Sequence, residues 1–242
     1  MFLERCSNTL NTTSDDLDDT SIALTVDPTV DMATKNKIMD EILSIRTPDG
    51  LVPVYFSAVR PRIGVYLPNR KRKKGSLTYA LDVCVCVNVL TLFYQNNRGH
   101  ELDTVLDWVY ACLQYRAYLD GTYFYTTEAF LYFLSRLISR SDEVRERFKP
   151  LFRERISERF TLGGDSLALA MRILAGATVG LISVVDYEKL LSMQEEDGSW
   201  ANTWYYKFPR TSMLIGNDGL ATALAVKAIE TVVSHRRRQG VL

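Results

Sequence analysis

The sequence predicts an all-α protein, built as an (α/α) barrel of paired inner and outer helices. Three observations lead to this prediction: helical periodicity dominates the chain, two kinds of helix alternate, and glycine turns recur between the pairs. A helix that is apolar on every side is buried on every side, whereas a helix with one apolar stripe faces solvent on the other. The order inner, outer recurs four times before a last inner helix, and a two-layered ring of helices satisfies it.

Each helix is placed by its own hydrophobic pattern. The segment 82–96 is almost wholly apolar and 165–182 is apolar nearly all round, whereas charged residues interrupt the apolar stripe of 101–116. Helical spacing of apolar residues is the main signal for such assignments. Inner helices are predicted at 20–26, 82–96, 126–139, 165–182 and 217–234, and outer helices at 29–45, 101–116, 142–159 and 185–193.

The connectors after the outer helices share a glycine, which supplies the left-handed turn that ends a helix. In three of the four connectors, aromatic residues follow and are expected to line the rim of the barrel. A helical solenoid used as a scaffold would share the pairing of helices but not this concentration of Tyr and Trp. We predict one domain at 15–242 after a flexible segment at 1–14. The connectors are Asp49-Gly50, Asp120-Gly121, Gly163-Gly164-Asp165 and Asp197-Gly198.

Composition excludes several classes of function. The chain of 242 residues carries 29 Lys and Arg against 29 Asp and Glu, and this zero net charge argues against a general nucleic-acid binder. No apolar run approaches the roughly 18 residues of a membrane span, and the first residues lack the apolar stretch of a signal peptide. We therefore expect a cytoplasmic protein without a transmembrane span.

An acidic cluster, Asp15-Asp16-Leu17-Asp18-Asp19, directly precedes the first inner helix. Capping and the helix dipole favour acidic residues there, but four carboxylates in five residues exceed what a cap needs. In one interpretation, crowding and desolvation hold one carboxyl protonated. Asp18 would then be a general acid that protonates an alkene, with Asp16 or Asp19 and Thr20 orienting it.

The other chemical interpretation of this cluster is a metal site. Asp15, Asp16 and Asp19 form a DDxxD set that could bind Mg²⁺ through oxygen. Metal-triggered isoprenoid synthases carry a second ligand set, which Asn217-Asp218 begins here. Ala221 and Ala225 occupy the remaining ligand positions, so the metal-triggered interpretation is the weaker one.

Two motifs resemble those of class II terpene cyclases. Asp16-Leu-Asp-Asp-Thr-Ser21 resembles their DxDTT/DxDD acid motif, and Gln194 to Trp200 resembles their glutamine–tryptophan motif. Further stretches are similar to the cyclase β domain of the drimane-type sesquiterpene cyclases, in which a haloacid-dehalogenase-like domain is fused to it. They include Tyr55-Phe56 through Arg60-Pro61-Arg62, Leu106 to Tyr110, Arg116 to Gly121, Glu128 to Leu134 and Ile215 to Asn217.

The resemblance implies a terpene cyclase or prenyltransferase toroid and a polyprenyl diphosphate substrate, with farnesyl diphosphate as the expected one. It further implies a protonation-started, isomerase-type cyclisation to a drimane-type bicyclic diphosphate, with Asp18 as the acid and Mg²⁺ assisting diphosphate binding. Aromatic side chains would shield the carbocation through their π faces, and basic ones would bind the diphosphate. The aromatic candidates are Tyr123, Tyr125, Trp200, Trp204 and Tyr205, and the basic candidates are Arg60, Arg62, Lys207 and Arg210.

The chain departs from the resembling proteins in three places. Asp19 stands where the fused enzymes usually have Thr. No dehalogenase-like domain is present in these residues, so a separate phosphatase or partner domain would be needed to remove the diphosphate. The basic segment 64–81 is an insertion, either a solvated loop or a patch that gathers phosphate. The rival functions are a class I, lyase-type synthase that releases pyrophosphate and an inactive cyclase homologue or isoprenoid-binding protein.

Overall fold

The structure, a computed structural model, describes residues 16–56, 81–201, 203–208 and 213–240. Within these ranges the chain is mostly helical, with a single two-stranded sheet. The all-α prediction is therefore confirmed. The predicted segment 1–14 and all but the last residue of the insertion 64–81 lie outside the described residues.

The chain divides into two compact units, Met1–Val109 and Tyr110–Leu242. The prediction of one domain at 15–242 stays a prediction. In the order of the chain, the helices and strands are α1 Leu17–Val26, α2 Met32–Ser44, α3 Val83–Gln95, a 3₁₀ turn at Gly99–Leu102, α4 Asp103–Gln114, α5 Thr127–Arg140, α6 Asp142–Ser157, α7 Ser166–Thr178, α8 Val184–Leu191, β1 Trp204–Phe208, β2 Met213–Gly216 and α9 Asp218–Arg238.

Local sequence chemistry explains where these helices begin. Every described α-helix except α4 starts at a residue whose side chain accepts a hydrogen bond from a backbone N–H of the first turn. Such capping satisfies donors that the helix itself cannot, and short oxygen-bearing side chains do it best. The α4 helix instead continues directly from the 3₁₀ turn. The capping residues are Asp16, Asp31, Asp82, Thr126, Ser141, Asp165, Ser183 and Asn217.

In the first unit, α1 packs against α3. The α3 helix is buried at every position from Val83 to Phe93, as expected of an inner helix. The α1 helix is buried on one face only, because Asp19, Ala23 and Val26 are exposed, so the prediction that it is buried all round is wrong. The segment after α2 also fixes the start of α1, because the Leu17 N–H donates a hydrogen bond to the Val54 carbonyl at 3.0 Å.

In the second unit, α7 is central and packs against α5, α8 and α9. The α5 and α7 helices are buried over most of their length, which confirms them as inner helices, and α6 has the predicted apolar stripe. The α9 helix is buried only at Ala221, Ala225, Ala228 and Val232. That spacing is a single face, so the prediction of a fully buried last helix is wrong.

The glycine turns are confirmed at three of the four predicted connectors. Gly50, Gly121 and Gly198 have φ angles of 80°, 84° and 88°, the left-handed region that favours glycine. The Gly163-Gly164 connector does not use that region, and the left-handed residue of this loop is Thr161 with a φ of 66°. A β carbon on Gly164 would lie 2.8 Å from Nη2 of Arg172, so close approach of a side chain requires glycine there.

The hairpin of β1 and β2 was not predicted. Its residues were assigned to a connector, because Trp204-Tyr205-Tyr206 reads as an aromatic run without clear alternation. The two strands pair antiparallel, with a register shift between Trp204 and Tyr206. The backbone N–H of Lys207 also donates to the Phe124 carbonyl at 2.7 Å, which attaches the hairpin to the segment before α5.

Candidate functional site

The acidic cluster lies at the amino end of α1, in the first unit. Asp16 caps the helix, and its Oδ1 accepts the backbone N–H of Asp18 at 2.7 Å. Asp18 is 2% exposed, whereas Asp19 is exposed. The Thr20 hydroxyl donates to the main-chain carbonyl of Asp16 at 2.7 Å. Of the motif's carboxylates in the described part of the chain, Asp18 is therefore the one held inside the protein.

Asn88 on α3 orients Asp18 and is not among the residues predicted from the sequence. Its Nδ2 donates to Oδ1 of Asp18 at 2.7 Å, and Asn88 itself is 2% exposed. The sequence signal for this role was an amide side chain within the otherwise apolar segment of α3, because a buried amide requires a hydrogen-bond partner. Asp19 and Thr20, which were predicted to orient Asp18, are placed differently. Asp19 is exposed, and the Thr20 hydroxyl donates to the Asp16 carbonyl.

The crowding of carboxylates affects Asp16 strongly. Burial is the largest cause, and together with the negative charges of Asp18 and Asp19 it raises the pKa of Asp16 to about 7. Backbone N–H groups of α1 oppose this by stabilising the ionised form. Asp16 therefore exchanges a proton near neutral pH.

Asp82 and Ser21 are among the other buried polar groups of the first unit. Asp82 caps α3 by accepting the Cys84 N–H at 2.7 Å, and it is 2% exposed. Ser21, one turn after Asp18, is fully buried, and its Oγ has no hydrogen-bond partner among the described residues.

The proposed metal ligands lie only partly within the described residues. Asp15 lies outside them, and Asp19 is exposed. In the ranges that the structure describes, no three His, Cys, Asp or Glu residues are grouped so as to hold a metal ion. Asn217, which begins the second ligand pattern, caps α9 by accepting the Leu220 N–H at 2.9 Å, and Ala221 and Ala225 are buried.

Three of the five predicted aromatic residues cluster in the second unit. The ring of Tyr125 lies 6.5 Å from Tyr205, 5.5 Å from Tyr206 and 5.5 Å from Phe133. Tyr123 joins the cluster through Phe124, with the two ring centroids 4.8 Å apart. Electron-rich ring faces of this kind attract cations.

The other two aromatic candidates have different surroundings. Trp200 is 1% exposed in the core of the second unit, and its Nε1 donates to the Leu190 carbonyl at 2.8 Å. Its neighbours include Ile173, Tyr187 and Val232, so the glutamine–tryptophan motif stabilises the fold here. Trp204 is 37% exposed and lines a cavity of about 380 Å³.

The basic candidates are mostly outside the described residues. Arg60, Arg62 and Arg210 lie there, and Lys207 is exposed on β1. The cavity beside Trp204 instead contains Arg159 and Arg172, which the sequence analysis did not select. Both arginines contact Glu128 at the start of α5, at 2.7 and 3.2 Å.

In this mostly helical protein, the acidic motif places a buried aspartate at the amino end of a helix. Residues 1–96 match the family model described as the C-terminal domain of astC-like sesquiterpene cyclases. Over 231 residues, or 94% of its length, the chain is 39% identical to drimenol cyclase drtB of Aspergillus calidoustus. These similarities confirm the resemblance to drimane-type sesquiterpene cyclases. The chain spans 40% of the length of that relative.

Spanning a membrane requires a helix that is both long and apolar. None of the described helices combines the length and the apolar character needed to cross a bilayer.

Proposed function

We propose that this chain is a class II sesquiterpene cyclase domain that isomerises farnesyl diphosphate to a drimane-type bicyclic diphosphate. The observation that carries this proposal is the buried carboxyl of Asp18, oriented by Asn88 at the amino end of α1. The similarity to a protein named as a drimenol cyclase supports the substrate class.

Asp18 is the general acid of the proposed reaction. Because the Asn88 amide donates to Oδ1, the transferable proton belongs on Oδ2. The proton moves to one alkene carbon, whose π electrons form the new C–H bond, and the neighbouring carbon becomes a carbocation. The carboxylate left on Asp18 is stabilised by the Asn88 N–H and by the positive end of the α1 dipole.

Asp16 supports this proton transfer through its own protonation. Its pKa of about 7 allows it to be neutral when Asp18 becomes ionised, and this lowers the repulsion between the two carboxyls. Asp16 also holds the backbone of Asp18 through the N–H bond at 2.7 Å. We assign Asp16 a positioning role.

After protonation, the carbocation must be stabilised and a proton must be removed. The cluster of Tyr123, Tyr125 and Tyr205 offers π faces suited to a carbocation, and a base removes the final proton. Since cyclisation leaves the diphosphate attached, a separate phosphatase or partner domain would release the alcohol. Mg²⁺ would assist by neutralising the diphosphate.

The test is to incubate the purified protein with farnesyl diphosphate and Mg²⁺, and to analyse half of the product directly and half after added phosphatase. We expect a cyclic alcohol that appears only after phosphatase treatment, with no pyrophosphate released. A hydrocarbon formed with stoichiometric pyrophosphate would overturn the proposal in favour of the metal site at Asp15, Asp16 and Asp19. A folded protein that forms neither product would indicate an inactive homologue.

A further inference from the structure

The α1 and α3 helices of the first unit run side by side in the same direction. Two contacts show this: Nδ2 of Asn88 donates to Oδ1 of Asp18 at 2.7 Å, and Nε2 of Gln95 donates to the Thr25 carbonyl at 3.1 Å. In both contacts the two residues are 70 positions apart in the sequence. An offset that stays constant over about two helical turns is typical of a parallel pair of helices.

The same offset pairs Ser21 with Thr91, in the layer between these two contacts. Both residues are buried, Ser21 at 0% and Thr91 at 2% exposure. The Thr91 hydroxyl donates its proton to the Val87 carbonyl at 2.8 Å, so its oxygen can only accept a further bond. The Ser21 hydroxyl has no hydrogen-bond partner among the described residues. The two hydroxyls therefore share a layer without being bonded to each other.

A buried hydroxyl without a partner is costly, and nearly all buried polar groups are satisfied by protein or by ordered water. A buried water makes about three hydrogen bonds to polar groups. Asp18 supplies a further polar group here, because it lies three residues before Ser21 on the same face of α1, where Cβ atoms are about 5 to 6 Å apart. One water spans such a distance with two hydrogen bonds of about 2.8 Å each.

We propose that Ser21 binds a water molecule between α1 and α3, and that this water donates a hydrogen bond to Asp18. The water accepts the Ser21 proton and donates its two protons to Thr91 Oγ1 and to the Asp18 carboxyl. This inference rests on the proposed function for the role of Asp18 as the acid. A hydrogen bond to an ionised acceptor is stronger than one to a neutral acceptor, so the water stabilises the carboxylate that proton transfer leaves. Ser21 is thus a positioning residue.

A crystal structure of the whole chain tests the binding site directly. We expect a water at about 2.8 Å from Ser21 Oγ that also lies within hydrogen-bond distance of Thr91 Oγ1. It should be missing from the Ser21→Ala structure. Wild-type crystals without this water, or a water that stays in place in Ser21→Ala, would overturn the inference.

Stability gives a test that is independent of activity. Removing a buried hydroxyl that has no partner should stabilise a protein, whereas removing one that holds a bound water should not. The matched control is Ser135→Ala, because Ser135 is buried in the middle of α5 and its hydroxyl donates to the Tyr132 carbonyl at 2.7 Å. Alanine gains the same helix propensity at both positions. We expect the urea midpoint of Ser21→Ala at or below that of Ser135→Ala, and a higher midpoint would contradict the bound water.

The catalytic effect should appear in kcat alone. Ser21→Ala should lower kcat by about tenfold, since a water-mediated hydrogen bond to a developing charge is lost, while KM stays at the wild-type value. Ser135→Ala should leave both constants unchanged. An unchanged kcat in Ser21→Ala, or a change confined to KM, would refute the positioning role.

The two proposals can fail separately. If the water is found at Ser21 but no cyclised diphosphate forms, the proposed function fails and the binding site stands. If the cyclised diphosphate forms while no water lies at Ser21 and Ser21→Ala is as active as wild type, the binding site is wrong and the proposed function stands.

Discussion

The two units contain contrasting buried carboxylates. In the first unit, Asp18 accepts a hydrogen bond from the neutral amide of Asn88. In the second unit, Glu128 accepts hydrogen bonds from the guanidinium groups of Arg159 and Arg172. An amide orients a carboxyl without neutralising its charge, whereas guanidinium groups do both. The first arrangement suits proton transfer, and the second suits a fixed charge that holds the structure together.

The largest effect is expected at the proton donor. Asp18→Asn should lower turnover by a factor of about 10² to 10⁴, the usual contribution of a general acid, because the amide has no transferable proton. The rate of product formation from farnesyl diphosphate measures this loss of turnover. The control is Asp103→Asn, since Asp103 is an exposed carboxyl of the same unit. Retained cyclisation by a folded Asp18→Asn variant would refute the mechanism.

The next effect concerns stability in the second unit. Arg172 is 1% exposed and contacts both Glu128 and Asp186, so Arg172→Met leaves buried charge uncompensated. We expect a loss of about 3 to 5 kcal/mol in the free energy of unfolding. Arg98 in the first unit also contacts two carboxylates, Asp40 and Glu101, but these are more exposed. Arg98→Met should lower the free energy of unfolding by about 1 kcal/mol or less. Denaturant titration of Arg172→Met and Arg98→Met compares the two losses. Equal losses would contradict the comparison.

A smaller effect is expected from the residue that orients the acid. Asn88→Ala should reduce kcat by about tenfold to a hundredfold, because a hydrogen bond to a developing carboxylate is lost. The substrate KM should change little, since Asn88 contacts the acid and not the substrate. Asn88→Asp, of similar shape but without the donated N–H, should not restore kcat. A change confined to KM would show that Asn88 has another role.

The last effect is the pH dependence that Asp16 contributes. Its pKa is raised from 3.8 to about 7 in the folded protein, so the folded state holds a proton that the unfolded state releases between those values. Stability from this group is therefore greatest at low pH and falls as pH rises towards 7, by up to about 1.4 kcal/mol per unit. Asp16→Asn keeps a good helix cap and should flatten this part of the stability curve. Thermal unfolding of the wild type and of Asp16→Asn at pH 5 and pH 8 measures this difference. If the stability of both proteins changes equally between the two pH values, Asp16 is not the source of the pH dependence.

The helices could be predicted because the spacing of apolar residues along the sequence indicates which helix face is buried. The α4 stripe of Val105, Leu106, Val109 and Leu113 is buried as its period indicates. The faces of α1 and α9 could not be predicted, because Ala- and Thr-rich sequences have little amphipathic contrast. The hairpin was missed in part because β1 also bonds to a distant part of the sequence, where the Lys207 N–H donates to the Phe124 carbonyl, and no local pattern encodes such a contact.

The site was predictable where a motif is contiguous. The DxDD motif identified Asp18, and the structure buries it. Asn88 and Arg159 come to their partners across 70 and 31 residues of sequence, and only the fold brings them together. Trp200, which its motif predicts as a substrate contact, lies in the core of the second unit.

The glycine pair before α7 has a further consequence. Gly163 and Gly164 are exposed, and an exposed pair of glycines is normally an easy site for proteolytic nicking. Here the carbonyls of Leu162 and Gly163 are tied to the buried guanidinium of Arg172. A protease needs several residues of extended, released backbone, and this segment cannot supply them without first breaking bonds to the interior. The loop should therefore resist cleavage as long as α7 is folded, and its cutting would report the unfolding of the unit.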